Sequence, residues 1–211
     1  MRDFFRKLLV SKWSKVAVFL FCLLPLGYLG LRAYQGEVTA NPVEYIQHFT
    51  GDWTLRLLLI TLSVTPLRKL LSLPYLIRFR RMLGLFAFTY VCLHFLTYIG
   101  PDQSFSLSGM WKDVVKRPFV TVGFLGFVLL IPLALTSTKG WIRRLGGKRW
   151  QALHRLIYVT ALCGVVHYYW LVKSDHRLPL LYGAILAALL LYRLVDSLLK
   201  PRPAVSVSPA S

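Results

Sequence analysis

Two histidines stand inside the stretch RWQALHRLIYVTALCGVVHYYWLV, which runs from Arg149 to Val172. His154 and His167 are thirteen residues apart in a segment apolar enough to span a membrane. At a rise of about 1.5 Å per residue they lie about 20 Å apart along a helix, roughly two-thirds of a hydrocarbon core about 30 Å thick. An ionisable side chain inside a bilayer is costly and marks a functional position by default. Two of them at two depths suggest two stations on a path across the membrane.

A third histidine supplies a partner. His94 lies about twelve residues into the apolar segment Met82–Ile99, and His167 is sixteen residues past Gln151. If both segments start on the same side, both imidazoles fall in the far half at similar depth. Two neutral imidazoles facing each other across a bundle are good axial ligands for a b-type haem. Six-coordinate iron has no open position, so the role would be electron transfer. The plainer alternative is that each histidine hydrogen-bonds a neighbouring helix.

His154 sits near the other end. The residues thirteen and fourteen before His94 are Arg81 and Arg80, so no histidine faces it. Arg78, Arg80 and Arg81 are either interfacial side chains that reach for water or partners of a haem propionate, a flavin phosphate or a quinone carbonyl. His154 then ligates a second haem with an unusual partner or lines a quinone or flavin site. Thirteen residues at about 100° each leave His154 and His167 about 140° apart on an ideal helix. One shared cleft therefore needs an irregular helix between them, near Gly164, or a bend. His48, in NPVEYIQHFTGDW, and His176, in SDHR, read as solvated loop residues.

These side chains need a frame that crosses a membrane. Six apolar segments are drawn: Ser14–Ala33, Trp53–Leu71, Met82–Ile99, Phe119–Thr136, Gln151–Val172 and Leu178–Leu199. Each is near the length a spanning helix needs, and none alternates with the period of a strand. The predicted fold is an all-α integral membrane protein, a six-helix transmembrane bundle forming one domain over 1–200. The tail 201–211, PRPAVSVSPAS, is expected to be disordered and cytoplasmic. The basic start and VAVFLFCLLPLGYLG resemble a secretory signal, but no clear cleavage site follows, so the segment reads as a retained first helix. Pro25 and Pro132 sit inside spans, and Gly27/Gly30 and Gly123/Gly126 are candidate sites of close helix approach. Lys139–Leu145 reads as a basic surface segment before a break at Gly146-Gly147.

Charge sets the orientation. One set of loops collects 19 of the 26 Lys and Arg residues, which places both termini in the cytoplasm. All six tryptophans fall near expected interfaces. A net charge of +18 could suggest nucleic acid, but the basic residues lie between apolar spans rather than on one soluble face. Cys22, Cys92 and Cys163 sit in apolar spans with no metal-type spacing and read as small buried hydrophobes. No GxGxxG or phosphate loop occurs, and no loop is long enough for a nicotinamide domain. Electrons would have to come from a membrane quinol or a separate reductase.

The motifs NPVEYIQHFTG, LIRFRRMLGL followed by CLHF, KRPFVTVG, LALTST, and WQALHRLIYV followed by VHYYW run from about residue 41 to 172. In order and spacing they resemble the MsrQ family, the haem-binding membrane subunits of periplasmic protein-methionine-sulfoxide reductase systems. The wider resemblance is to the ferric-reductase-like transmembrane domain shared with NADPH oxidases. The resemblance implies a six-helix protein of the bacterial inner membrane with haem b, and flavin mononucleotide (FMN) is associated with the family. It implies electrons taken from the quinone pool and passed to a periplasmic molybdopterin subunit that reduces methionine sulfoxide in oxidised proteins. By position His94, His154 and His167 match the family's three membrane histidines, and His48 matches the histidine of its HFTG motif. Arg80-Arg81 stand where the wider oxidase pattern has a fourth histidine. The first loop on the periplasmic side, with Glu37, Glu44 and Asp52, is a candidate docking surface for the partner. A haem-free transporter with histidine proton relays, or a passive anchor for a partner, are the other classes the residues allow.

Overall fold

The computed structural model describes Lys7 and residues 9–199. The expected tail at 201–211 lies outside the described residues. Among the described residues every regular element is helical, with no strand. In chain order these are α1 (Lys12–Tyr34), α2 (Pro42–Leu70), a short turn of helix Pro74–Leu76, α3 (Ile77–Thr97), a wide turn Tyr98–Asp102, α4 (Leu107–Lys116), α5 (Pro118–Leu135), α6 (Lys139–Leu145), α7 (Gly147–His154), α8 (Leu156–Leu171) and α9 (Arg177–Leu198).

Four of these stretches are long and apolar enough to cross a membrane: α1, the run Pro74–Asp102, α5 and α9. The other two expected spans differ from the sequence reading for physical reasons. α2 carries Glu44, Asp52, Arg56, Arg68 and Lys69 along its length, and α8 has sixteen residues because the helix is interrupted at Arg155. There the amide of Arg155 bonds back to Ala152 O at 3.2 Å, and the amide of Tyr158 bonds to Arg155 O at 3.0 Å. These three-residue bonds tighten the turn. The irregularity expected near Gly164 thus lies directly after His154, and α8 runs unbroken through Gly164.

α2 begins at Pro42, well before the expected Trp53. The side chain of Asn41 accepts a hydrogen bond from Glu44 N at 3.3 Å, and Pro42 occupies the first turn. A polar cap, a proline and an acid in the first turn start a helix whatever its hydropathy. His48 and Asp52 are therefore helical, not loop residues. His176 lies in the loop directly before α9, as expected, but it is half-buried against Tyr169, with ring centroids 4.8 Å apart, rather than fully solvated. α4, an unexpected amphipathic helix, is capped by Ser106 and buries Val114. The basic segment Lys139–Leu145 does form a short helix, and it ends at Gly146, whose φ of 73° suits glycine.

Packing centres on α2 against α3 and α5 against α8, with α9 covering α2 and α8. Leu57, Leu58, Ala87, Tyr90, Ala161 and Leu186 form the middle of the core. The hydroxyls of Thr50, Thr54 and Thr61 donate to carbonyls one turn back in α2, so these buried groups need no partner on another helix. The Tyr90 hydroxyl donates to Cys22 O at 2.8 Å and ties α1 to α3. The rest of α1 presents Phe19, Leu20, Leu24 and Leu31 outward, as a lipid-facing helix does. Gly27 and Gly30 have nothing within 4 Å, so the close approach expected there is not made.

Candidate functional site

α3 and α8 bring His94 and His167 together with ring centroids 6.2 Å apart and ring planes at 82°. Each ring is held from behind by a backbone carbonyl of another helix. His94 Nδ1–H donates to Gln47 O in α2 at 2.9 Å, and His167 Nδ1–H donates to Phe119 O in α5 at 2.7 Å. A carbonyl can only accept, so Nδ1 carries the proton on both rings. Each neutral imidazole therefore keeps the lone pair of Nε2 for another partner, and neither Nε2 has one among the described residues. A histidine whose second nitrogen is anchored to a carbonyl is the usual arrangement of a metal ligand.

Glycines make room for both rings. A Cβ on Gly51 would stand 3.1 Å from His94 Nδ1, and one on Gly123 would stand 2.6 Å from His167 Nδ1. Gly126 meets Cys163 Cβ at 3.2 Å in the same way, so α5 and α8 pack closely along the Gly123/Gly126 pair. Between α2, α3, α5 and α8 lies a cavity of about 420 Å³ lined by both histidines. Its walls include Leu55, Leu58, Phe95, Phe124 and Phe127, with Phe95 stacked on Phe127 at 4.5 Å. His48, Asp52 and Tyr168 also line it.

The donor set narrows what the cavity can hold. Among the described residues no group of three His, Cys, Asp or Glu side chains is placed to bind a metal ion. Two imidazoles alone suit a metal that brings its own equatorial ligands. Mainly apolar, aromatic walls with a few polar groups, here including His48, Asp52, Asp102 and Arg117, are the usual lining of a cofactor site.

His154 is held differently. The Thr136 hydroxyl donates to Pro132 O at 2.6 Å, so its oxygen accepts from His154 Nε2–H at 3.1 Å. The ring also stacks on Trp150 with centroids 3.9 Å apart, and Trp150 Nε1 donates to Thr136 O at 2.9 Å. Only Nδ1 of His154 is left to face a ligand. Arg80, half-buried, lies within electrostatic reach of His154. Arg78 donates to Leu9 O at 2.6 Å, and Arg81 is exposed, so the three arginines do not converge.

The sequence reading missed several supports of the site. The carbonyls of Gln47 and Phe119 leave no trace in side-chain chemistry. Trp150, four residues before His154, was legible as a helical neighbour. Arg56 was also missed: its Nε donates to the Tyr182 hydroxyl at 2.8 Å, and it pairs with Asp52 at 3.5 Å. Cys22, Cys92 and Cys163 are free thiols.

Residues 50–165 match the family model of the ferric reductase like transmembrane component. Similar proteins include one from Caulobacter vibrioides, 53% identical over 83% of this chain and 84% of its own length. One from Herminiimonas arsenicoxydans is 56% identical over 85% of this chain and 83% of its own. One from Rhodospirillum rubrum is 50% identical over 91% and 92%. All three carry the name protein-methionine-sulfoxide reductase heme-binding subunit MsrQ. The chain belongs to the MsrQ family. No solved structure matches it. The matched segment of this MsrQ-family chain contains Gly51, His94, Gly123, His154 and Thr136, and stops just before His167.

Proposed function

We propose that this chain is a haem b-containing electron-transfer subunit in the bacterial inner membrane. Electrons would come from the quinone pool and leave to a periplasmic molybdopterin subunit that reduces methionine sulfoxide in oxidised proteins. One observation carries the reading: two imidazoles, 6.2 Å apart across a cavity, each anchored at Nδ1 and open at Nε2. Membership of a family whose relatives are named heme-binding subunits supports the same cofactor.

In this reading His94 and His167 would hold the haem iron through their Nε2 atoms. The Gln47 and Phe119 carbonyls fix the tautomer and orientation of each ring, and raise the basicity of its Nε2. Gly51 and Gly123 let α2 and α5 approach the rings without a Cβ in the way. Phe95, Phe124 and Phe127 give the cavity an apolar wall. The bound haem would supply one-electron chemistry between ferric and ferrous iron. In this reading the chain carries electrons, and the methionine sulfoxide chemistry belongs to the partner.

His154 marks the other end. Its free Nδ1 and the neighbouring Arg80 are proposed to serve a second cofactor or the quinone, with FMN the flavin that family resemblance offers. Arg78 and Arg81 have lesser parts there, given their positions. The six-span count, with both termini cytoplasmic, rests on the basic-loop bias and on pairing α2 and the α7–α8 unit with the four apolar spans. Glu37 and Glu44 are exposed and remain the proposed acidic docking surface.

The test is optical. The protein purified in detergent and loaded with haem should give a low-spin spectrum that quinol reduces. His94→Ala and His167→Ala should lose that spectrum. A wild-type protein that binds no haem sinks the reading.

A further inference from the structure

Lys69 and Asp196 tie the end of α2 to the end of α9, which puts Arg68 and Arg193 in the same region, and Arg80 of α3 lies within electrostatic reach of both. All three are half-buried. Arg193 does not reach outward to water. Its Nη2 donates to Leu62 O at 2.6 Å, its Nη1 donates to the Tyr158 hydroxyl at 3.1 Å, and the guanidinium lies 5.2 Å from the Tyr158 ring centre. Its Nε is buried with no partner. Arg80 acts on Arg193 and Arg68, both of like charge, and has no hydrogen bond or ion pair among the described residues. Asp196, one turn beyond Arg193, is paired with Lys69.

Part-buried guanidinium groups of one sign are costly close together in a low-dielectric place unless an anion joins them. Planar guanidinium forks match phosphate oxygens, and a phosphate has enough of them to serve several forks where a carboxylate satisfies one. Basic pockets between membrane helices on the cytoplasmic side are where phosphate headgroups bind. Exposed Leu67, Leu70 and Leu194 lie beside this cluster and offer an acyl chain an apolar surface.

We propose that Arg68, Arg80 and Arg193 together bind a phosphate group, with the Tyr158 hydroxyl beside it. The phosphate belongs either to an anionic lipid of that leaflet or to a small soluble phosphate ester, for which FMN serves below as a probe. The assignment does not depend on haem at His94 and His167, whose optical spectrum reports on that pair separately.

The experiment uses the full chain in phosphatidylcholine nanodiscs and follows its thermal unfolding. The probes are inorganic phosphate, phosphatidylglycerol added to the bilayer, FMN and riboflavin. Binding to the folded state raises the midpoint. Phosphate-bearing probes should stabilise the wild type, and riboflavin should not. Stabilisation by phosphatidylglycerol and not FMN assigns a lipid; the reverse assigns the nucleotide.

Arg80→Gln should weaken phosphate binding about tenfold or more, since hydrogen bonds to charged groups are strong. Because Arg80 makes no internal bond, this variant should fold as well as wild type without phosphate. Should Arg193→Gln fail to fold, Arg80→Gln and Arg68→Gln decide. Arg149→Gln, at an exposed basic residue, should keep wild-type affinity. Two results would overturn the proposal: no phosphate-bearing probe shifts the wild type, or Arg149→Gln weakens binding as much as Arg80→Gln.

Discussion

At His94 and His167 the ring nitrogen in use is Nδ1, and its acceptor is a backbone carbonyl of another helix; at His154 it is Nε2, and its acceptor is the Thr136 hydroxyl. The pair looks into an aromatic cavity with glycines behind each ring. His154 lies flat on Trp150 near Arg80, which has no hydrogen bond or ion pair among the described residues. The pair presents two matched lone pairs and little else, which suits a metal that carries its own macrocycle. The His154 end presents one lone pair and positive charge, which suits an anionic ligand. Imidazole alone does not assign chemistry; the atom on its far side does.

The comparison can be broken at each end. The largest effect is expected from His94→Ala and His167→Ala, each removing a metal ligand: haem content after purification should fall to near zero, while His154→Ala keeps the haem of the pair. Next is Gly123→Ala. Its Cβ would press within 2.6 Å of a ring nitrogen held by Phe119 O, so ring or helix must move. Overpacking of this kind costs about 1–3 kcal/mol, read as a lower unfolding midpoint and a shifted haem spectrum. Gly51→Ala, with its contact at 3.1 Å, should do the same to a smaller extent. Gly164→Ala meets only the tip of Leu55 at 3.3 Å and should be nearly silent in the spectrum. If it matches Gly123→Ala, the glycines serve helix packing in general rather than the rings.

The smallest effect belongs to the other end. Thr136→Val removes the acceptor for His154 Nε2–H. Hydrogen bonds between membrane helices are worth about 0.6 kcal/mol on average, so stability should drop little. The His154 imidazole resonances should shift while the haem spectrum of the pair stays unchanged. A spectral change at the pair would mean that the two ends are coupled.

Much of this was legible in the sequence. The matched depth of His94 and His167 follows from counting residues into apolar segments. The 140° offset between His154 and His167 argued against one shared cleft unless the helix was irregular; the helix is interrupted at Arg155 rather than near Gly164, and His154 does not line the cavity of the pair. What hydropathy hid was α2 before Trp53: Asn41, Pro42 and Glu44 start the helix by capping chemistry, and so bring Gln47 O and Gly51 to His94. The nearness of Arg80 to Arg68 and Arg193 could not be read, because it depends on how α2, α3 and α9 are placed. Gly123 and Gly27 look alike in sequence, yet only Gly123 faces a neighbour. Which glycine is used is a tertiary fact.

The electron paramagnetic resonance spectrum of the oxidised, haem-loaded protein tests the central claim most directly. Axial imidazoles held near perpendicular, as the 82° between the rings implies, should give a low-spin ferric signal with a large maximal g value. That signal should vanish in His94→Ala and in His167→Ala and persist in His154→Ala. A high-spin signal in the wild type, or an unchanged low-spin signal in His94→Ala, would contradict the pairing of His94 with His167.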